Sequence, residues 1–399
     1  MRGSPSIDDH YSDAWQPILP GAREGHVGLE FIEGNEAIAR AAVKAGCRFF
    51  AGYPITPAST ILSHMMDLLP GEGGVALQAE DEIASIGFCI GAAMAGWKAM
   101  TATSGPGISL YSENIGLAIM GETPLVIVDV QRQGPATGSA TKGADGDIQF
   151  ARWCTSGGLP IIALCPATVA EAYELTYRAF NLAETYRTPV FVLSNKEVSM
   201  TSEAVDLDAI ELPPLVSRKR PPEGVPYNPH QFERPDEVPA LADFGAGALT
   251  RYTTSTHNKA GRLTADPEII QEMIEHYAAK IEAAADDIAL YRYDPEEGAE
   301  TLMVSYGVTS RAARMAVREA RRKGRKVSSL VLQTLYPVPE RALRQALAGV
   351  RRAVVPEMNL GQYRREVERL APAGVRVSGV NRMDTTLISP SEIMVRGEL

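Results

Sequence analysis

Hydrophobic residues along this chain fall into short continuous runs separated by longer stretches with helical spacing. Between about residues 26 and 210 the apolar runs are RFFAG, AMTAT, PLVIVDV, LPIIALC and PVFVLS. Continuous apolar strands between helices are typical of a parallel sheet that is covered on both faces. The pattern predicts an α/β fold with a doubly wound parallel-sheet domain over residues 26–210.

A proline-rich segment ends this first alternation. Residues 211–265 include LPPLVSRKRPPEGVPYNPHQFERPDEVP, whose prolines disfavour helices and strands. A second, shorter alternation follows, with the apolar runs TLMVSYG, VSSLVLQTL, RRAVVPEM and VRVSGV. We therefore expect a connector over 211–265, a smaller α/β domain over 266–399 and an N-terminal arm over 1–25.

Composition and charge exclude several classes of function. The 399 residues carry a formal net charge of -10 and the longest basic run is RRKGRK, so a nucleic acid is not an expected partner. No apolar stretch approaches the roughly 18 residues of a membrane span, and the polar, acidic start is unlike a signal peptide. A cytoplasmic protein without a membrane partner is predicted.

Metal and nucleotide motifs are also missing from the sequence. The four cysteines, Cys47, Cys89, Cys154 and Cys165, have no C-x-x-C pair and no histidine at ligand spacing, so we expect neither zinc nor an iron–sulfur cluster on this chain. A phosphate-binding loop requires glycine–lysine followed by serine or threonine, whereas in GSATKG the lysine precedes the glycine and alanine follows. A nucleotide-hydrolysing protein is therefore disfavoured.

The turn GYPITP follows the first predicted strand of the parallel sheet, at the edge where ligands gather. Thr56 is either the N-cap of the next helix, with Pro57 at its first position, or part of a site for a carboxylate. In the second case its hydroxyl acts with the free helix amides, because Pro54 and Pro57 stiffen the turn. The two alternatives are compatible.

Two further segments carry candidate residues. The stretch QAEDEIASIGFCIGAAMAGW begins with three acids, which favour a helix start, and continues as an apolar helix that we expect to be buried on all sides. Arg132 follows PLVIVDVQ at another strand end, where a guanidinium can bind a carboxylate with two parallel bonds or form a surface salt bridge. The glycine turn TSGPGIS, residues 103–109, can be a tight turn between a strand and a helix. It is followed by Leu110, where a dinucleotide fingerprint would have its third glycine, so it does not match that fingerprint.

Taken together, these motifs resemble a known family. From GNEAIARAAVKAGCRFFAGYPITPAST through AEDEIASIGFCIGAAMAGWKAMTATSGPGISL to VQRQGPATGSATKGADGD, and again in TLYPVP, EMNLGQYRREVERLA and ISPSEIM, the chain resembles the α subunits of 2-oxoacid:ferredoxin oxidoreductases, most of all the 2-oxoglutarate enzymes. The resemblance implies a thiamin diphosphate-binding domain of the pyrimidine type, followed by a domain like the transketolase C-terminal one.

The resemblance also assigns roles to residues. Glu82 matches the glutamate that hydrogen-bonds a pyrimidine nitrogen and activates the cofactor, and Thr56 and Arg132 match positions that receive the 2-oxoacid carboxylate. Lys142 is a further substrate-binding candidate.

The remaining candidates implied by the resemblance would contact the cofactor. They are Tyr53, Pro54, Ser104, Gly105 and Asn114.

Other subunits should complete such an enzyme. A diphosphate site of this kind needs a G-D-G turn and a later asparagine to hold Mg²⁺, whereas this chain has only ADGD at 144–147, which we expect to be a loop. The resemblance implies a β subunit with the diphosphate site, Mg²⁺ and a [4Fe-4S] cluster, and possibly further ferredoxin-like subunits. The reaction would convert a 2-oxoacid to acyl-CoA and CO2, with coenzyme A as co-substrate and ferredoxin as electron acceptor.

One loop departs from the family pattern and leaves the substrate open. Within GPATGSATKGADGD, Ala140 stands for an expected proline and Asp145 for an expected glutamine. An acid near the substrate would repel the distal carboxylate of 2-oxoglutarate, while Lys142 would attract it. A branched or aryl 2-oxoacid, or a non-catalytic scaffold subunit, therefore remains an alternative.

Overall fold

Two β-sheets of mainly parallel strands organise residues 28–399, the part of the chain that the computed structural model describes. The predicted N-terminal arm, 1–25, lies outside the described residues. The first sheet, called the large sheet below, has seven strands, and the second, the small sheet, has five. Helices follow most of the strands, as the alternation in the sequence predicted.

The elements of the first part follow in chain order. They are β1 (Leu29–Glu33), α1 (Gly34–Lys44), β2 (Cys47–Gly52), α2 (Ser59–Leu68), a 3-10 helix (Leu69–Glu72), β3 (Val75–Gln78), α3 (Glu82–Met94), β4 (Lys98–Thr103), α4 (Pro106–Met120), β5 (Leu125–Gln131), α5 (Ile148–Arg152), β6 (Ile162–Leu164), α6 (Val169–Tyr186), β7 (Pro189–Asn195), α7 (Lys196–Ser199) and β8 (Ser202–Asp206).

The elements of the second part are fewer and shorter. They are α8 (Pro267–Glu282), α9 (Ala285–Ile288), β9 (Tyr291–Asp294), β10 (Thr301–Tyr306), α10 (Thr309–Arg322), β11 (Val327–Leu332), β12 (Thr334–Tyr336), α11 (Glu340–Leu347), β13 (Arg352–Glu357), α12 (Arg364–Leu370), β14 (Arg376–Asn381) and α13 (Pro390–Arg396).

The large sheet has the strand order β12-β6-β7-β5-β4-β2-β3, and all pairings except that of β12 with β6 are parallel. Its central strand β5 is buried throughout. Val126 and Val128 lie in the core shared with α1, α2 and α6, whereas Leu125 and Ile127 lie in the core shared with α3 and α4. A doubly wound sheet follows directly from this alternation.

The small sheet has the order β14-β13-β10-β11-β9, with only β9 antiparallel. The apolar run VSSLVLQTL does not form one strand of this sheet: it divides into β11, which pairs with β10, and β12, which joins the edge of the large sheet. Residues 334–336 belong to the range predicted for the smaller domain, 266–399. Strand β12 therefore joins the sheet of the first predicted domain although it lies in the sequence of the second.

Residues 207–266 contain no helix or strand within the described chain, and they pack along the large sheet. Arg218 lies in this segment and pairs with Glu184 of α6 and with Asp243, at 3.1 Å in each case. Lys98 at the start of β4 donates to the Val216 carbonyl at 2.8 Å. The irregular segment is thus attached to the first domain by the salt bridge of Arg218 with Glu184 and by the bond from Lys98 to its backbone.

A buried charge cluster attaches the same segment and α8 to the amino edge of β5. The Glu122 carboxylate contacts Lys280 Nζ at 2.8 Å, His276 Nε2 at 2.8 Å and His230 Nδ1 at 2.7 Å. Arg187 Nε donates to the Glu122 carbonyl at 3.1 Å. Burial opposes ionisation of Glu122, but Lys280 and Arg187 hold its pKa well below the usual range, and burial lowers the pKa of His230 to about 4.

One face of α3 and α4 is open to solvent, so the expectation that α3 is buried on all sides is wrong for this chain by itself. Ile83, Phe88 and Leu110 are 52%, 49% and 47% exposed. A Cβ added at Gly87 or Gly91 would meet no atom within 4 Å. The apolar pattern of α3 therefore reflects two surfaces, one packed on the large sheet and one exposed.

We expect Lys280→Met to lower the free energy of unfolding by about 3–5 kcal/mol, because it leaves Glu122 buried without its main countercharge. Urea unfolding at pH 7.5 measures this loss. The exposed Lys323, which pairs with Glu319 on α10 at 3.5 Å, provides the control, and Lys323→Met should cost less than about 1 kcal/mol. Equal midpoints for the two variants would contradict a structural role of the cluster.

Candidate active site

The carboxyl ends of β2, β4 and β5 are neighbours in the large sheet, and most candidate residues lie in the turns that follow them. Thr56 follows β2, Gly105 follows β4 and Arg132 follows β5. The parallel direction of the strands brings these turns to one edge.

Arg132 is the centre of this edge and is only 5% exposed. Its Nη1 atom donates to the Thr56 carbonyl at 2.6 Å. A Cβ on Gly105 would lie 3.5 Å from Arg132 Cγ and 3.6 Å from its Nε, so the arginine packs over the glycine turn. Thr56, Gly105 and Arg132 therefore meet, and the alternative of a surface salt bridge for Arg132 is wrong.

Thr56 is not the N-cap of the following helix. Helix α2 begins at Ser59 with Ala58 as N-cap, and no side chain caps it. Asn35 of α1 holds the turn instead, because its Nδ2 atom donates to the Pro57 carbonyl and to Thr60 Oγ1, both at 2.8 Å. The capping alternative is thus excluded, and the half-buried Thr56 hydroxyl is not engaged at the helix start.

Glu82 is the first residue of α3 and is 7% exposed. The preceding Asp81 caps the helix by accepting from the Ala84 amide at 2.7 Å. A Cβ on Gly107 would lie 3.0 Å from Glu82 Oε1 and 2.0 Å from Thr103 Oγ1. Glycine is therefore required at position 107 to leave room beside the carboxylate.

The remaining cofactor candidates lie around this carboxylate or at its entrance. The Ser104 hydroxyl is buried without a hydrogen-bond partner among the described residues. Asn114 of α4 donates to the Ile83 carbonyl at 3.3 Å, which joins it to the start of α3. Tyr53 and Pro54 are exposed at the rim.

The loop after Arg132 carries Lys142, Asp145 and Asp147, and ADGD is a loop as predicted. Lys142 is exposed, and its carbonyl accepts from the Gln133 amide at 2.9 Å. Asp145 is buried and accepts from Asn195 Nδ2 at 2.7 Å, and burial raises its pKa to about 7. Among the acids of this loop, Asp147 is the one whose charge acts on Arg132, whereas the expected repulsion of a distal carboxylate by Asp145 stays a prediction.

Residues of the small sheet hold this loop in place. The Asp145 amide donates to the Met358 carbonyl at 3.0 Å, and Asn359 Nδ2 donates to the Asp145 carbonyl at 2.8 Å. Gln362 Nε2 donates to the Gly146 carbonyl at 2.6 Å. All three partners belong to the EMNLGQ turn after β13, so the second sheet supports the site of the first.

Comparison with known proteins identifies the family. Residues 40–276 match the family described as pyruvate flavodoxin/ferredoxin oxidoreductase, thiamine diphosphate-binding. The chain belongs to this family. Residues 299–393 match core domain II of pyruvate:ferredoxin oxidoreductase. The predicted thiamin diphosphate-binding fold with a smaller second α/β domain is thereby confirmed, whereas the boundaries that we predicted stay predictions.

Relatives within this oxidoreductase family include two enzyme types. The chain is 43% identical over 366 residues to 2-oxoglutarate synthase subunit KorA of Methanocaldococcus jannaschii, covering 92% of this chain and 98% of that protein. It is 34% identical over 368 residues to ketoisovalerate oxidoreductase subunit VorB of Methanothermobacter thermautotrophicus, with coverages of 92% and 97%.

A solved structure of the family is also similar. The chain aligns with a TM-score of 0.87 and 30% identity to 2-oxoglutarate:ferredoxin oxidoreductase from Magnetococcus marinus, whose structure contains 2-oxoglutarate, coenzyme A and succinyl-CoA. The alignment covers 93% of this chain but 65% of that chain.

The residues near Glu82 fit the cofactor that the family description names. The hydroxyls of Thr103 and Ser104 are buried without partners in the described structure, and Gly107 allows the start of α4 to approach the Glu82 carboxylate and Thr103 closely. A carboxylate and two free hydroxyls are the groups that a polar aromatic ring such as an aminopyrimidine requires.

Sequence reasoning missed several residues that lie around these strand ends. Asp129 is the only charged residue of the apolar run PLVIVDV, and a charge inside a predicted buried strand could have identified it as a candidate. Gly107 lies in the same GPG segment as Gly105, but only Gly105 was among the candidate residues. Asn35 and Asn359 had no signal of their own, because their partners are distant in the chain.

Residues 28–399 contain neither a metal-binding cluster nor a membrane-spanning helix. No group of three or more His, Cys, Asp or Glu side chains has an arrangement that would hold a metal ion. No helix in this range combines the length and hydropathy needed to cross a bilayer.

Proposed function

We propose that this chain is the α subunit of a thiamin diphosphate-dependent 2-oxoacid:ferredoxin oxidoreductase that converts 2-oxoglutarate, coenzyme A and oxidised ferredoxin to succinyl-CoA, CO2 and reduced ferredoxin. The observation that carries this proposal is the 2.6 Å bond between Arg132 and the Thr56 carbonyl, which joins two distant segments into one cationic site. The relatives named for 2-oxoglutarate have higher identity than those named for ketoisovalerate, which supports this substrate.

Arg132 and Thr56 would bind the carboxylate next to the oxo group. The guanidinium is buried and its Nη1 is held by the Thr56 carbonyl, so it is oriented before substrate arrives. The Thr56 hydroxyl is available to donate a second bond to the same carboxylate. Orientation of this kind reduces the barrier, because the carbonyl carbon is fixed relative to the attacking group.

Glu82 would hold the proton that a pyrimidine nitrogen requires. Thiamin diphosphate, when bound, supplies the thiazolium carbon that adds to carbonyl groups and accommodates the charge left by loss of CO2. The Glu82 carboxylate and the Thr103 hydroxyl both lie against Gly107, where any side chain would collide with them. Proton transfer by a positioned carboxyl contributes about 100- to 10,000-fold to rate.

Partner subunits would complete the enzyme. The open apolar face formed by Ile83, Phe88 and Leu110 supports the docking of a β subunit, since exposed hydrophobic patches commonly mark interaction sites. This face begins at the same turn of α3 that carries Glu82, so a subunit docked there would reach the cofactor. We assign the diphosphate site, Mg²⁺ and the [4Fe-4S] cluster to that subunit, with ferredoxin-like subunits as possible additions.

We expect Glu82→Gln to reduce turnover of the assembled complex by at least about a hundredfold, because the amide keeps the shape but cannot share a proton. Steady-state rates of 2-oxoacid-dependent ferredoxin reduction measure the loss, and size-exclusion chromatography measures assembly. Glu80→Gln, two residues earlier and exposed, is the control. Normal turnover in a cofactor-loaded Glu82→Gln complex would favour the scaffold alternative.

We expect Arg132→Lys to raise the KM for 2-oxoacids roughly 10- to 150-fold, which corresponds to about 1.5–3 kcal/mol for a lost charged hydrogen bond. Lysine retains the charge but cannot reproduce the two-pronged geometry. Arg178→Lys is the matched control, because Arg178 pairs with Glu174 on the surface of α6. An unchanged KM in the Arg132 variant would refute carboxylate binding there.

The distal carboxylate distinguishes the candidate substrates. If Lys142 attracts it, Lys142→Ala should raise the KM for 2-oxoglutarate about three- to fivefold, while leaving that for 2-oxoisovalerate unchanged, because a single exposed charge pair contributes up to about 1 kcal/mol. A substrate panel assayed on wild type and variant measures this. A wild-type preference for 2-oxoisovalerate would favour the branched-chain alternative.

A further inference from the structure

The buried strand β5 contains one acid in its interior. Asp129 has no exposed surface, and neither of its carboxylate oxygens has a hydrogen-bond partner within residues 28–399. Its neighbours Val128 and Val130 belong to the apolar core. In such surroundings a carboxyl group is either protonated and neutral or, when ionised, needs a charge of opposite sign nearby.

A second acid approaches Asp129 from the loop before α5. The Asp147 amide donates to Gln131 Oε1 at 3.0 Å, and its Oδ2 atom is buried without a partner in the described part of the chain. Burial and the Asp147 carboxyl raise the pKa of Asp129 well above its usual range. Burial raises the pKa of Asp147 to about 6. Each carboxyl thus acts on the other, and two interacting carboxyls titrate as a pair.

The charges of the same pair act on Arg132. The Arg132 Nε atom is buried without a partner among the described residues. Burial lowers the pKa of Arg132, and the charges of Asp147 and Asp129 oppose this effect. Asp145 is the next acid along the loop, and it is bonded to Asn195. The charged groups facing the pair are therefore Arg132 and, more remotely, Asp145.

We propose that Asp129 and Asp147 form a proton-sharing carboxyl pair that positions Arg132 and balances its charge, taking up one proton when the 2-oxoacid carboxylate binds and releasing it when that carboxylate departs as CO2. This inference rests on the proposed function of Arg132. Asp129 and Asp147 are positioning residues, because they act on the substrate through the guanidinium.

The reason is charge balance in a buried site. With one proton on the pair, the pair and Arg132 have no net charge. A substrate carboxylate adds one negative charge, which is disfavoured at low dielectric until a proton from solvent joins Asp147. Once neutral CO2 has left, Arg132 again needs a countercharge, and the proton returns to solvent.

Proton uptake on binding makes affinity depend on pH. Above about pH 6 the free pair has one negative charge, so binding should weaken by up to tenfold for each further pH unit. Both carboxylates of 2-oxoglutarate are already ionised in this range, so the substrate adds no titration of its own. In Asp147→Asn no carboxylate is left to accept a proton, because Asp129 is already protonated. The dependence of substrate affinity on pH should therefore disappear.

The test is the KM for 2-oxoglutarate in the native complex between pH 6 and 8.5. We expect a rise with pH in wild type and in Asp67→Asn, an exposed control on α2. Asp147→Asn should give a flat profile, with a KM at pH 8 below that of wild type. Asp129→Asn, which imitates the protonated acid, should keep the rise of KM with pH. A structural role alone would raise KM equally at every pH.

A pH-independent wild-type KM, or a wild-type slope in Asp147→Asn, would overturn the proposal. If Asp147→Asn does not assemble, calorimetry of 2-oxoglutarate binding to the wild-type complex in two buffers with different ionisation enthalpies decides: no proton uptake at pH 7.5 refutes the pair. A complex that oxidises no 2-oxoacid would refute the proposed function itself, whereas normal activity with a flat profile would refute only the pair.

Discussion

A parallel sheet buried on both faces can offer polar groups to a ligand only where its strands end, and the rest of this structure depends on that constraint. β5 is buried over all its residues, so Arg132 reaches the surface of the sheet only after the strand is complete. The turns after β2 and β4 end at the same edge, which is why Thr56, Gly105 and Arg132 meet although they are far apart in the chain.

The second sheet contributes to this edge without supplying any of the predicted site residues. Asn359 accepts from the Gly361 and Gln362 amides through its Oδ1 atom, which fixes the EMNLGQ turn, and its Nδ2 atom holds the Asp145 carbonyl. The loop that carries Lys142 and Asp147 is therefore fixed at its far end by another layer. Hydrogen bonds to backbone restrain a loop that has no secondary structure of its own.

Buried charge is treated differently at the two edges of β5. At the amino edge, Glu122 has bonds from Lys280, His230 and His276, and such a satisfied cluster holds elements together. Near the carboxyl edge, Asp129 has no hydrogen-bond partner in the described chain. A buried carboxyl left unsatisfied in this way favours its protonated form, and burial together with Asp147 raises the pKa of Asp129 accordingly.

The sequence by itself determined the alternation of strands and helices, the fold class, and the strand-end positions of Thr56 and Arg132, because hydrophobic periodicity is local and parallel strands share one edge. Tertiary structure alone decided that Asn35, rather than a helix cap, orders the turn at Thr56, and that β12 leaves the small sheet for the large one. It also decided which aspartate of ADGD faces Arg132. Successive side chains in a loop follow no fixed period, so only tertiary structure decides that Asp145 bonds to Asn195 while the charge of Asp147 acts on the guanidinium.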